Sequence, residues 1–291
     1  MTINLETCLL GVIGNPLTQS LSPLMHNAVF DHLGLNCLYL PLEIAAGSLE
    51  KALDALKVFG FTGVNVTIPY KTEVIPYLDV LSEEAEACQA VNCIKNEQGR
   101  LTGYNTDGQG FMRALKEAGV ESGEHTVIIG AGGAARSVAY NLARSGCRML
   151  EILDIEVNRA DDLAMFIENV SNCTTHSRLM TPDNFEAAAA EADLIINCSP
   201  VGMMPQISKS PVDSLAAAKN NAVICDLIYN PIETRFLQLG RERGLKTING
   251  AAMFIHQGAL TLEILLGITP PLAFMKEVVT NQLEGKRRNI N

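Results

Sequence analysis

The stretch Asn65-Val66-Thr67-Ile68-Pro69-Tyr70-Lys71 breaks an apolar, strand-like run at a proline and then delivers a lysine. Held at the mouth of a sheet, a lysine can serve as a base, because desolvation loosens an ammonium proton. On an exposed turn it is only a solvated charge. Asp107 opens Asp107-Gly108-Gln109-Gly110 ahead of a helical pattern. It could cap that helix, or work beside a basic group in general acid–base chemistry. Gln19-Ser20-Leu21-Ser22-Pro23 places two hydroxyls at the start of another helix. Ser22 reads first as the N-cap, with Pro23 at the first helical position. A second reading is compatible with the first: two hydroxyls and a positive helix end receiving a carboxylate. Asn92 sits in a hairpin-like strand and Gln257 in an apolar helix, one turn after Met253. A buried amide needs partners, so each points to a polar pocket.

Residues 127–137, VIIGAGGAARS, carry different chemistry. Gly130 suits a tight turn after a strand, and Gly132 lets backbone approach a pyrophosphate. Ala135 is small enough for the following helix to pack on the strand. Ala131, Gly133 and Ala134 complete a loop whose N–H groups face the phosphates at the helix start. The next apolar run, LEILD, ends in Asp154. An acid there can accept from the ribose hydroxyls of an adenine dinucleotide and repel a 2′-phosphate, so the sequence favours NAD over NADP. Arg159 dissents, since a guanidinium nearby could reach a phosphate.

Positioning these groups requires a scaffold, and apolar strand-like runs alternate with helical patterns throughout. Strands are expected at 9–14, 37–43, 61–69, 125–130, 148–154, 193–199, 222–228 and 245–250, with helices at 23–34, 48–60, 132–146 and 158–170. Residues 90–107 read as a hairpin turning at Gln98-Gly99. Two helical stretches, 251–267 and 270–285, close the chain, and the basic run 286–288 reads as a solvated helix end. This is an α/β pattern with two domains, an N-terminal unit on a mainly parallel sheet followed by a Rossmann dinucleotide-binding unit. The join falls near Asn105–Gly108.

Composition narrows the class. The 291 residues are 47% hydrophobic with a net charge of −10. That balance argues against nucleic-acid binding, and any anionic ligand must be held by local donors. Eight cysteines are scattered without a Cys-x-x-Cys pair and read as reduced thiols of a cytoplasmic protein. The five histidines show no metal-ligand spacing, so no metal is expected. No apolar run is long enough to span a membrane, and no basic leader precedes the first strand.

Taken together, GVIGNPLTQSLSPLMHN, GVNVTIPYK, AVNCI, GYNTDGQGF, GAGGAARS, INCSPVGM, DLIYNP and the helix bearing Gln257 occur in an order that resembles the shikimate/quinate dehydrogenase family. The resemblance implies reversible hydride transfer between a ring alcohol carbon and nicotinamide. It assigns Lys71 and Asp107 as the catalytic pair, and Ser20 and Ser22 to the substrate carboxylate. Thr67, Asn92 and Gln257 would hold ring hydroxyls, with Tyr229 lining the site and Gly250 among the cofactor-binding residues. It also implies that the last helices return to the first domain, giving 1–106 with 250–291 as the substrate domain and 107–249 as the cofactor domain. The NADP-dependent members carry an Asn-Arg-Thr-like turn where this chain has Asp154-Ile155-Glu156, so the arginine clamp for a 2′-phosphate is missing. The expectation is therefore an NAD-preferring enzyme acting on shikimate, with quinate as a second substrate and NADP as the weaker cofactor, monomeric or homodimeric. Alternatives are a quinate-first catabolic dehydrogenase, an aminoshikimate-pathway member, and a metabolite sensor without turnover. Retention of both Lys71 and Asp107 opposes the sensor.

Overall fold

The computed structural model describes residues 3–288, with side chains described to 285. The basic side chains at 286–288 lie outside it. The chain divides into two compact units, one running to Thr106 and resuming at Ile255, the other Asp107–Phe254.

The first unit contains β1 (Cys8–Gly14), α1 (Ser22–Leu33), β2 (Cys37–Glu43), α2 (Leu49–Val58), β3 (Gly63–Val66), β4 (Val80–Leu81), α3 (Glu83–Cys88), β5 (Cys93–Glu97) and β6 (Arg100–Tyr104). Its sheet runs β2-β1-β3-β5-β6-β4. The β1 strand pairs in parallel with β2 and β3, while β3–β5 and the hairpin β5–β6 are antiparallel. Ile13, Leu53, Leu56, Val64, Val66, Ile94 and Leu101 form the core beneath one face. The β3 strand is shorter than the apolar run predicts, because after Val66 the chain turns, with Tyr70 N–H donating to Thr67 O at 3.0 Å.

The second unit contains α4 (Asp107–Glu117), β7 (His125–Ile129), α5 (Gly133–Arg144), β8 (Met149–Asp154), α6 (Val157–Val170), β9 (Thr174–Leu179), α7 (Pro182–Ala189), β10 (Leu194–Asn197), β11 (Val223–Asp226), α8 (Arg235–Glu242) and β12 (Lys246–Ile248). Every neighbouring pair in the sheet β12-β11-β10-β7-β8-β9 is parallel. Runs such as Thr126–Ile129 and Leu194–Asn197 are buried along their whole length, as strands covered on both faces must be.

Edge strand β9, TTHSRL, escaped the sequence reading because it lacks an apolar run. Side chains hold it to its neighbour. Buried Glu151 of β8 pairs with Arg178 at 2.8 Å and His176 at 3.0 Å. Burial works against the Glu151 charge, but these two partners outweigh it and keep the carboxyl below its ordinary range.

Two helices end the chain, α9 (Ala251–Leu266) and α10 (Leu272–Arg288). From Ile255 onward they belong with the first unit, whereas 250–254, expected there too, stay with the second. The reason is local: Gly250 N–H donates to Ile228 O at 3.1 Å, and Phe254 stacks on Tyr229 with ring centroids 4.6 Å apart. Among the described residues, no helix is long and apolar enough to cross a membrane, and no cluster of three metal-ligating side chains occurs.

Candidate active site

In the first unit, a polar cluster grows from the ends of β1, β3 and β5 and the inner face of α9. Asn92 precedes β5 and is 2% exposed. Its Oδ1 accepts from Thr106 N–H at 2.8 Å, and its Nδ2 donates to Thr106 Oγ1 at 2.8 Å and Gln257 Oε1 at 3.4 Å. The Thr106 hydroxyl also lies 3.2 Å from Gln257 O. One residue before Asn92, Val91 N–H donates to Lys71 O at 2.8 Å and anchors the loop carrying that half-buried lysine. Thr67 is likewise tied to β1, its N–H donating to Ile13 O at 2.9 Å. Thr106 is followed directly by buried Asp107, which opens α4 in the second unit.

Ser22 is not the N-cap that the sequence suggests. It is the first residue of α1, the cap position is Leu21, and no side chain caps this end. The local bond is weaker and reversed: Ser22 N–H donates to Ser20 Oγ at 3.4 Å. Sequence reasoning missed Tyr39, which alternates unobtrusively within the apolar strand CLYLPLE. It is 1% exposed and clamped by Asn27, whose side chain both donates to Tyr39 O and accepts from Tyr39 N–H at 2.9 Å. The phenol donates to Asn65 Oδ1 at 2.6 Å. Asn65 Nδ2 then donates to Asn92 O at 3.0 Å and Thr261 Oγ1 at 2.9 Å. Burial holds the phenol well above its ordinary pKa, so it stays protonated. Against its ring, at 4.5 Å, stacks His26, fully buried with neither ring nitrogen hydrogen-bonded to a described residue. Burial pushes the His26 imidazole down to about 3, so it sits there neutral.

The second unit presents a different kind of site. At the end of β7 the chain turns at Gly130 with φ +96°, where a Cβ would lie 3.1 Å from Ser199 N. Both facts require glycine. At Gly132 a Cβ would meet nothing within 4 Å. Gly132 is the N-cap of α5 and supplies no side chain to its free N–H groups. An open approach to uncapped helix amides fits a pyrophosphate. Ala131, Gly133 and Ala134 line the same turn, half-buried. Buried Asp154 joins this loop to the end of β8: its Oδ2 accepts from Ala131 N–H at 2.7 Å and its Oδ1 from Glu156 N–H at 2.9 Å. Ile155 beside it is 79% exposed. The Arg159 guanidinium lies 3.1 Å from Glu156 Oε1.

Tyr229 is half-buried above a frame set by Asp226, whose carboxylate accepts from Thr234 Oγ1 at 2.6 Å, Ile228 N–H at 3.0 Å and Asn197 Nδ2 at 3.1 Å. Burial still raises the Asp226 carboxyl to about 6. Gly250 packs on backbone, since a Cβ there would fall 2.0 Å from Leu227 O.

Comparison with known proteins fits this division. Residues 12–94 match the shikimate dehydrogenase substrate binding domain, and residues 113–240 match shikimate / quinate 5-dehydrogenase. The chain is 55% identical to the shikimate dehydrogenase (NADP(+)) of Syntrophomonas wolfei subsp. wolfei over 284 residues, covering 98% of both. It superposes with a TM-score of 0.88 and 34% identity on shikimate 5-dehydrogenase from Listeria monocytogenes in complex with shikimate and NAD, over 96% of this chain and 98% of that one. For quinate dehydrogenase from Corynebacterium glutamicum in complex with NAD the TM-score is 0.85 at 33% identity, over 94% and 99%. This chain belongs to the shikimate dehydrogenase family of oxidoreductases.

Proposed function

We propose that the protein oxidises shikimate reversibly to 3-dehydroshikimate, with NAD as the preferred hydride acceptor and quinate as a second substrate. The observation that carries this reading is the linked set of buried Asn92 and Thr106 with half-buried Gln257. Its amides are locked to one another, close in sequence to the Lys71 loop and Asp107, and Ser20 and Ser22 open the neighbouring helix of the same unit. A polyhydroxylated ring acid needs such a mixture: hydroxyl donors for its carboxylate and fixed amides for its ring hydroxyls. The first unit thus acts as the substrate domain and the second as the cofactor domain.

Lys71 takes the proton of the C3 hydroxyl in oxidation and returns it in reduction. Asp107 orients that hydroxyl and the lysine. When bound, the nicotinamide supplies the redox step, accepting hydride from C3 at its own C4. Thr67, Asn92 and Gln257 would fix the ring, and Tyr229 is the family's site-lining tyrosine.

The cofactor preference rests on Asp154-Ile155-Glu156. Two carboxylates and an exposed isoleucine stand where a 2′-phosphate would have to be received, and Glu156 engages the nearby Arg159. The Syntrophomonas relative is named for NADP(+), while the Listeria and Corynebacterium structures hold NAD, so the family uses both. Shikimate-dependent reduction of either dinucleotide by the purified protein tests the dehydrogenase reading. No turnover with either one contradicts it.

A further inference from the structure

Two of the eight cysteines, distant in sequence, are brought together by the first sheet. The parallel register of β1 and β2 places Cys8 directly opposite Cys37. Among the described strand pairs, no other two cysteines stand opposite each other. Neighbouring strands lie about 4.8 Å apart, inside the roughly 4.4–6.8 Å between Cα atoms that a disulfide spans. Partners in a parallel ladder share a face, and here it is the face that α1 covers. Two residues on, Leu10 and Tyr39 are again partners, both are buried, and His26 of α1 stacks on Tyr39. The backbone around the pair is pinned as well: Cys8 N–H donates to Asn36 O at 2.9 Å, and Thr7 Oγ1 donates to Asn36 Oδ1 at 2.9 Å. Cys37 is buried and Cys8 half-buried, with the Cys8 sulfur 3.0 Å from Thr62 Oγ1 just ahead of β3. Because β1 lies between β2 and β3, rotation about χ1 swings that sulfur from Thr62 toward Cys37.

We propose that Cys8 and Cys37 form a redox modification site, a dithiol that a small-molecule disulfide such as glutathione disulfide converts to a cross-strand disulfide. The half-buried Cys8 reacts first. Its thiolate attacks one sulfur of the reagent, giving a mixed disulfide at Cys8 and releasing one reagent thiol. Cys37 then loses its proton to solvent and attacks the Cys8 sulfur. The bond between Cys8 and the reagent breaks, and the second reagent thiol leaves. Two protein thiols are thereby oxidised, and one reagent disulfide is reduced to two thiols. Burial pushes the Cys37 thiol up to about 12, so it enters only in this slower second step. The new bond closes a loop that contains the whole of α1, and such a cross-link restricts the unfolded chain more than the folded one. Cys8 and Cys37 open their strands, whereas the polar cluster lies past the other end of β1, about 20 Å along the strand. The site therefore bears on stability rather than on the proposed chemistry.

Holding the purified protein in glutathione buffers of rising oxidised fraction, blocking the remaining thiols and mapping peptides without reduction tests this. The expected product is an intramolecular link between Cys8 and Cys37, reversed by dithiothreitol and preceded by a glutathione adduct on Cys8. Once the link has formed, the urea midpoint should rise by about 1 M. Cys8→Ser and Cys37→Ser should each lose that oxidant-dependent rise, and Cys37→Ser should hold the glutathione adduct on Cys8 without resolving it. If either variant fails to fold, the peptide map and urea midpoint of the wild-type protein still decide the matter. Cys8 and Cys37 left as free thiols in the most oxidising buffer would overturn the proposal. So would a reaction that stops at the Cys8 adduct, linkage through another pair while this one stays reduced, or a midpoint that does not rise with the link.

Discussion

The two units make their sites from different materials. In the first, the proposed substrate site is built from side chains: Asn65, Asn92, Thr106, Thr261 and half-buried Gln257 hydrogen-bond one another. In the second, the turn proposed to hold the cofactor is built from backbone, with glycines at 130 and 132 and uncapped amides at the start of α5. The contrast follows from the ligands. A ring acid with several hydroxyls is recognised by donors and acceptors at fixed positions, and each missing partner leaves a buried group unpaired. A pyrophosphate needs close approach and a positive helix end, which an added Cβ would block. The first unit should therefore be sensitive to loss of side-chain atoms, and the second to their gain.

The sharpest way to break that comparison is Lys71→Ala. It should cut kcat by roughly 10²–10⁴-fold, the range for losing a positioned acid–base group, while calorimetric binding of shikimate survives. Turnover left intact would remove Lys71 from the mechanism.

The buried ionisable groups of the two units should respond to acid with opposite sign. His26 in the first is held neutral, its value lowered from 6.5 to about 3. Its contribution is fully present above pH 6.5 and is lost as pH falls toward about 3, about 3 kcal/mol by pH 4. Asp226 in the second is raised to about 6, so its contribution is present below its ordinary 3.8 and is lost as pH rises through about 6. His26→Leu isolates the first term. Urea midpoints of the variant should fall less than those of the wild type between pH 6.5 and 4, and parallel curves would refute the assignment.

Gly130→Ala probes the backbone-made site. The left-handed φ and the 3.1 Å approach to Ser199 N should cost about 1–2 kcal/mol in stability and raise KM for the dinucleotide. Shikimate binding should not change. An unaltered cofactor KM would mean the turn tolerates a Cβ.

The smallest effect is expected at Asp154. Asp154→Asn keeps the size and an acceptor oxygen but removes the charge, and the NAD-to-NADP ratio of kcat/KM should fall by about tenfold, or ~1.4 kcal/mol. Because Asp154 also accepts from Ala131, some loss with both cofactors should accompany it. An equal loss with both, and no change in ratio, would make Asp154 a loop anchor only.

Where apolar periodicity dominates, the sequence was legible. The strands of the second sheet other than β9, the β5–β6 hairpin with its turn at Gln98-Gly99, and the strand–glycine–helix turn at 127–137 follow from local pattern. The residues that hold the site were not. Tyr39 looks like any strand aromatic, Thr261 lies in an apolar helix, and Asn65 is a single polar residue within an apolar strand-like run. Their roles depend on partners far away in sequence, such as Asn65 with Thr261. Ser22 misled for the opposite reason. Its local signal for a helix cap is strong, but the helix begins at Ser22 itself, with Leu21 at the cap position and no side chain capping it. Likewise β9 is set by Glu151, Arg178 and His176 rather than by hydrophobic alternation.

The central claim is that this scaffold oxidises shikimate and that Asp154-Ile155-Glu156 turns it toward NAD. Initial rates crossing shikimate and quinate with NAD and NADP, at matched concentrations, test both halves at once. The account predicts the highest kcat/KM for shikimate with NAD. A higher value with NADP would contradict the cofactor assignment, and no turnover with any pair would contradict the activity itself.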